Sequence, residues 1–470
     1  MKKLYYLAIL LIGVEFGLFA QISCNCQENL QKMIQKTELN YAGFPSKVSA
    51  KKGVVYEKLK TSLLEKAKQE INPKACFGIL KQYVRFFKDK HFSFSYREKS
   101  ANDSVVLSIP KSFVNKFNLW EGVWINEDST TKIAIVNTAP NVYKALKLEG
   151  KDSYPKGFVY FTLVKKNQHW YAELFDTFMS NDIPVSTKGN LLFIWNFNIW
   201  ARIAPQKASM EEVKELSTWR NHQQGVHFES LNKDFFYIRI PSFGNNDGYI
   251  QSLVAQYHQD IIKHPYLILD LRGNGGGESG WVHLLPYLMT NPIRQEKSQL
   301  RVSPENVIQK RNDLSDYVIQ ELPKEYLKYF PDTIMQAYRQ AYEELPKTTK
   351  KFYSIPSVQF PLDSVSQKPK KVAVLFDELC GSSTEYFFYL LKQSSKVVTY
   401  GQHTLGMMDY EGMSNRTELP YRNYYLYIPI SQSSWTIKHP IDETGFSPQV
   451  ILHDPKKYWI EKAMKDLPKR

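Results

Sequence analysis

The chain has 470 residues, 43% of them hydrophobic and 23% charged, enough apolar material for a sizeable core and too much for a disordered tail. At roughly 150 residues per domain, that length suggests about two to four domains. Lys and Arg number 61 against 47 Asp and Glu, a net charge of +14. The lysines are scattered, without a basic block or a zinc-finger, RNP-like or basic-zipper pattern, so the charge reads as a solvated surface and nucleic-acid binding is not expected.

Lys2 and Lys3 precede the apolar stretch Leu4 to Val14, and Phe16-Gly17-Leu18-Phe19-Ala20 then ends in a small residue, as a secretory signal does. We read 1–20 as a signal peptide cleaved near Ala20, and the mature protein as exported to the periplasm, the medium or an outer surface. The run is shorter than the roughly 20 residues a bilayer needs. No later stretch is long and apolar enough to span one, so no integral span is expected after signal removal. Lipid modification at Cys24 is the weaker alternative, because Gln21 stands where such signals usually carry an aliphatic residue. The four cysteines are Cys24, Cys26, Cys76 and Cys380. An exported chain permits a bridge from Cys76 to Cys24 or Cys26, and no ligand spacing for a metal is present.

In chain order, 21–103 reads as an N-terminal helical subdomain. Leu59, Leu63, Leu64 and Ala67 recur at helical spacing between Tyr56 and Ile71, Asn72-Pro73 breaks the pattern, and Cys76 to Phe87 resumes it. From 104 to 225 the pattern changes to short β-rich runs, among them 132–136, 157–164 and 190–194, which fit a small barrel or sandwich. Trp120, Trp124, Trp195 and Trp200 read there as core or turn packing. From 226 to 470 the alternation is strand, glycine loop, helix: strands over 234–240, 266–270, 371–376 and 396–400, with helices over 248–262 and 382–392. That order is α/β architecture. A charged helical insertion at 296–350 is placed to cap a site.

Two loops at strand ends carry the chemistry. Asp270-Leu-Arg-Gly-Asn-Gly-Gly-Gly277 has glycines where a backbone turns sharply and exposes N–H groups, as an oxyanion site requires. It lacks the Gly-Lys-Ser/Thr of a P-loop. Cys380-Gly-Ser-Ser-Thr-Glu385 sets Ser382 at a strand-to-helix junction, where its hydroxyl can be exposed. Ser382 followed by Glu385 is equally the spacing of a capping box.

Together and in this order, the two loops resemble the C-terminal-processing (tail-specific) serine peptidase family, over roughly Leu231 to Leu452 and more loosely the N-terminal helices. The resemblance implies an α/β fold with a ClpP/crotonase-like β-β-α core, to which the helical subdomain and the inserted β-rich domain are added. It puts Ser382 at the nucleophile position and the N–H groups of Gly275 or Gly276 and of Ser383 at the oxyanion hole. Tail-specific members use a lysine downstream of the serine, but here Thr404-Leu-Gly-Met-Met408 has Met407 in its place, and a methionine takes no proton. The tricorn-like branch, with a histidine base and an acidic partner, is the better match. Asp89-Lys-His91 then supplies His91 as base, and Glu443 in Glu443-Thr-Gly-Phe-Ser-Pro448 supplies the orienting carboxylate. His403 is the competing base. Lys90 and Gln449 depart from the family pattern, and 104–205 shows no Gly-Leu-Gly-Phe loop of a PDZ module.

The expectation is an exported serine endopeptidase acting on unfolded proteins or peptides through Ser382, His91 and Glu443, with no cofactor and no metal. The alternative is an inactive relative that uses the same cleft to bind peptides or apolar ligands.

Overall fold

The computed structural model describes residues 24–470 apart from 98–105, 109–117, 176, 196–197, 222, 296, 321, 323, 325–326, 328–329, 358–361, 363–364 and 413–414. The proposed signal peptide lies outside the described residues. The helices Cys26–Asn40, Ala50–Ala67 and Pro73–Phe86 form the N-terminal layer. A disulfide ties Cys26 at the start of the first to Cys76 in the last, while Cys24 is free and buried, its thiol on the Tyr424 hydroxyl. These helices share one core with the strands Ser93–Arg97 and Tyr424–Tyr427, which pair antiparallel, so Tyr83, Phe87, Phe92, Phe94 and Tyr424 pack together. That core fixes the segment carrying His91 against a strand from late in the chain.

The β-rich region closes into an eight-stranded barrel, so that of the two architectures fitting its sequence the barrel is the one formed. Its strands run Gly122–Asn126, Thr131–Ala139, Val142–Gly150, Val159–Lys166, His169–Leu174, Ile183–Lys188, Leu191–Ile194 and Asn198–Ala204, the last pairing with the first. Closure removes the sheet edges that an open sandwich would leave. Trp120, Trp124 and Trp200 lie inside, and the half-buried Trp195 donates its indole N–H to the Leu379 carbonyl of the core at 3.4 Å.

The core is a six-stranded sheet in the order His227–Ser230, Phe235–Arg239, Tyr266–Asp270, Lys371–Phe376, Val397–Gly401 and Val450–Ile451. All neighbours are parallel except the first pair. The buried runs Leu267–Asp270 and Val372–Phe376 reflect a sheet covered on both faces. Because Asp270 pairs with Leu375, the strands Tyr266–Asp270 and Lys371–Phe376 end side by side, and their two loops leave the sheet together. The helix expected over 248–262 is two helices, Asp247–Gln256 and His258–Lys263, broken at Tyr257.

The charged insertion holds the helices Pro304–Val318 and Asp332–Glu344, but it is rooted by a strand, Gln299–Arg301, paired with Phe352–Ser354 and Ser431–Gln432. It packs on the N-terminal layer: Arg301 donates to the Tyr41 carbonyl at 2.6 Å, and Asn306 to the Asn40 carbonyl at 2.9 Å. Among the described residues no hydrogen bond or ion pair joins it to Ser382. Nor is any helix among them long and apolar enough to cross a membrane.

Candidate active site

Ser382 precedes the helix Ser383–Leu391 with φ +54° and ψ −125°, a conformation L-residues rarely adopt. It makes no capping hydrogen bond, so the capping-box reading is corrected. The strained turn presents its hydroxyl to His91 instead: Ser382 Oγ lies 3.0 Å from His91 Nε2. Glu385, which the box would have used, is buried and accepts from the Thr404 hydroxyl at 2.6 Å, Gly406 N–H at 2.6 Å and Met407 N–H at 2.8 Å. It braces the 404–407 segment against the helix.

The other nitrogen of His91, Nδ1, lies 2.7 Å from the Tyr410 carbonyl oxygen. A carbonyl only accepts, so Nδ1 carries the proton and Nε2 is the free lone pair facing the serine hydroxyl. Burial is the largest influence on the imidazole and pushes its pKa below the ordinary value, while nearby Asp89 pulls it back up. Neutral imidazole is therefore the resting form near pH 7.

The glycine loop is clasped between the Phe243–Gly244 segment and the serine loop. Gly276 sits at φ +99°, and a Cβ there would meet Ser382 Cβ at 2.7 Å. Asn274, fully buried, ties the loops together. Its carbonyl accepts from Gly381 N–H at 3.1 Å, and its Oδ1 accepts from Gly276 N–H at 2.9 Å and the Thr384 hydroxyl at 2.8 Å. Gly276 N–H is thus already engaged, and the expectation that it is one of the oxyanion donors is corrected. The N–H groups of Gly275 and Ser383 have no acceptor among the described residues, and Ser383 opens a helix whose first N–H groups lack intrahelical partners.

Glu443 is also corrected. Its side chain is 56% exposed and pairs with Lys88 at 3.0 Å, away from His91. Its neighbour Asp442 is the one turned inward, paired with Lys47 at 2.6 Å and pushed up to about 8 by burial and the nearby Asp89. His403 is exposed, and the imidazole at Ser382 belongs to His91. Met407 is buried, with its sulfur against Gly381. Lys90 donates to the Gly406 and Asp442 carbonyls at 2.7 and 2.8 Å, fastening the 406 and 442 turns. Gln449 is a strand clasp, accepting from Thr399 N–H at 2.9 Å. Tyr410, Asn274 and the brace role of Glu385 escaped the sequence reading. Of these, only Asn274 carried a signal, as the polar residue inside a glycine run. Among the described residues no group of His, Cys, Asp and Glu could hold a metal ion.

A serine hydroxyl hydrogen-bonded to a neutral imidazole, beside free backbone N–H groups, is the equipment of acyl-transfer hydrolysis. The comparisons define the same class. Residues 234–452 match the model of peptidase family S41. That stretch, just under half of the chain, carries the pattern of the family, and the chain is a serine-type peptidase, a hydrolase. No curated protein matches it in sequence. Among solved structures it resembles mature CPAF, at 13% identity, 95% of this chain, 98% of that one and a TM-score of 0.53. CPAF complexed with lactacystin is similar at 13% identity, with 95% and 97% of the two chains covered and a TM-score of 0.52. At these identities the likeness is one of fold.

Proposed function

We propose that this chain is an exported serine endopeptidase that cleaves unfolded proteins or peptides, with Ser382 as nucleophile and His91 as base. The observation that carries the reading is the 3.0 Å contact of Ser382 Oγ with His91 Nε2, in the tautomer that the Tyr410 carbonyl imposes. Ser382 attacks the scissile carbonyl while His91 takes its proton, and the N–H groups of Gly275 and Ser383 receive the oxyanion. His91 then returns the proton to the leaving amine, and a water deacylates the serine by the same route. The Tyr410 carbonyl takes the orienting part first given to Glu443. The Cys26–Cys76 disulfide supports export, since such bonds persist in oxidising compartments.

The test is turnover of a reduced, carboxymethylated protein by the mature chain and by Ser382→Ala. Hydrolysis by the wild type and none by a folded Ser382→Ala is expected, and undiminished turnover by the variant would overturn the assignment. Saturable peptide binding by a wild type that never hydrolyses would instead favour an inactive binding relative.

A further inference from the structure

Among the described residues no carboxylate hydrogen-bonds the ring of His91, whose nitrogens face the Tyr410 carbonyl and Ser382. The Tyr410 carbonyl fixes the tautomer but carries no charge, and burial opposes the imidazolium that forms whenever the Ser382 proton arrives. A buried carboxylate two residues upstream meets that need. Asp89 is 3% exposed. Its Oδ1 accepts the backbone N–H of His91 at 2.8 Å and of Phe92 at 3.3 Å, and its Oδ2 accepts the Tyr41 hydroxyl at 2.8 Å. Tyr41 is itself held, its carbonyl accepting from Arg301.

We propose that Asp89 is the positioning residue and counter-charge of His91, locking the main chain that aims Nε2 at Ser382 and stabilising the imidazolium through its negative charge. The inference rests on the reading of His91 as base. No proton passes to Asp89: the one taken from Ser382 stays on His91 Nε2 until the leaving amine accepts it. Other charged or titratable groups share the electrostatic surroundings of the pair, namely Lys47, Lys90, Asp442 and Tyr410. Burial pushes the Asp89 carboxyl up, while His91, the Tyr41 hydroxyl and Lys47 pull it down, so its ionisation depends on these neighbours.

The test is the rate of fluorophosphonate labelling of Ser382 against pH in the full mature chain, for wild type, Asp89→Asn and Tyr41→Phe. Asparagine keeps an oxygen for the two N–H groups and removes the charge. Removal of a carboxylate that supports a metal-bound histidine costs about 10–100-fold, and a loss of that order is expected in the plateau rate of Asp89→Asn. Its acid limb should move to lower pH, because a lost negative charge favours neutral imidazole. Tyr41→Phe, which leaves Asp89 one donor short, should move the limb the same way by less. A purely structural brace would reduce the labelled fraction and leave the limb in place. An unmoved limb in Asp89→Asn, or in Tyr41→Phe should Asp89→Asn not fold, overturns the proposal while His91 stays the base. A wild type that does not label removes both.

Discussion

Replacing Gly276 with alanine tests whether the glycine loop and the nucleophile form one rigid unit. The added Cβ would stand 2.7 Å from Ser382 Cβ, 2.8 Å from the Gly381 carbonyl oxygen and 2.9 Å from Ser383 N, where ordinary contact begins at 3.4 Å. Two of these neighbours are backbone and cannot rotate away. The positive φ of +99° adds about 1–2 kcal/mol for an L-residue, and overpacking adds about 1–3 kcal/mol. Relief requires Ser382 to recede by a good part of an ångström, and a misplacement near 1 Å can cost about 100-fold in rate. Gly273→Ala is the matched control. Its φ is +83°, yet a Cβ there meets nothing within 4 Å, so it should carry the backbone penalty alone. Fluorophosphonate labelling with urea unfolding separates the two effects. Gly276→Ala should lose about 100-fold in labelling, and Gly273→Ala should label normally at a small cost in stability. Equal labelling by both variants and the wild type would refute the reasoning.

Two further outcomes follow from the site. Burial lowers the pKa of His91, so the base stays neutral to lower pH than a free imidazole, and the acid limb of the labelling rate should fall below the ordinary value of about 6.5; a limb above 7 would contradict the burial argument. Glu443→Gln, at an exposed carboxylate paired with Lys88, should leave labelling within about twofold of wild type, since exposed ion pairs carry little energy; a hundredfold loss would restore Glu443 to the site.

Much of the core was legible because its signals are local. The apolar runs at 266–270 and 371–376 and the glycine loops after them specify strand, turn and helix from neighbouring residues, and parallel pairing of the two strands does the rest. His91 was reached only through the family resemblance, because the contact that brings it to Ser382 spans 291 residues. What escaped is non-local or carried by the main chain. The group on His91 Nδ1 is a carbonyl, which every residue owns, so nothing at Tyr410 advertised it. Glu385 has capping-box spacing, but the turn at Ser382 and the N–H groups of the 404–407 segment claim it for the interior. Asp442 and Glu443 are adjacent acids in one turn. Tertiary packing decides which of them is buried, with Lys47 on Asp442 and Lys90 on its carbonyl, and it is the one the family pattern did not single out.

The most direct measurement is fluorophosphonate labelling of the mature protein followed by peptide mapping, with His91→Ala alongside. The account predicts a single adduct on Ser382, lost when His91 is removed although the variant stays folded. An adduct on another serine, or undiminished labelling of Ser382 without His91, would contradict it.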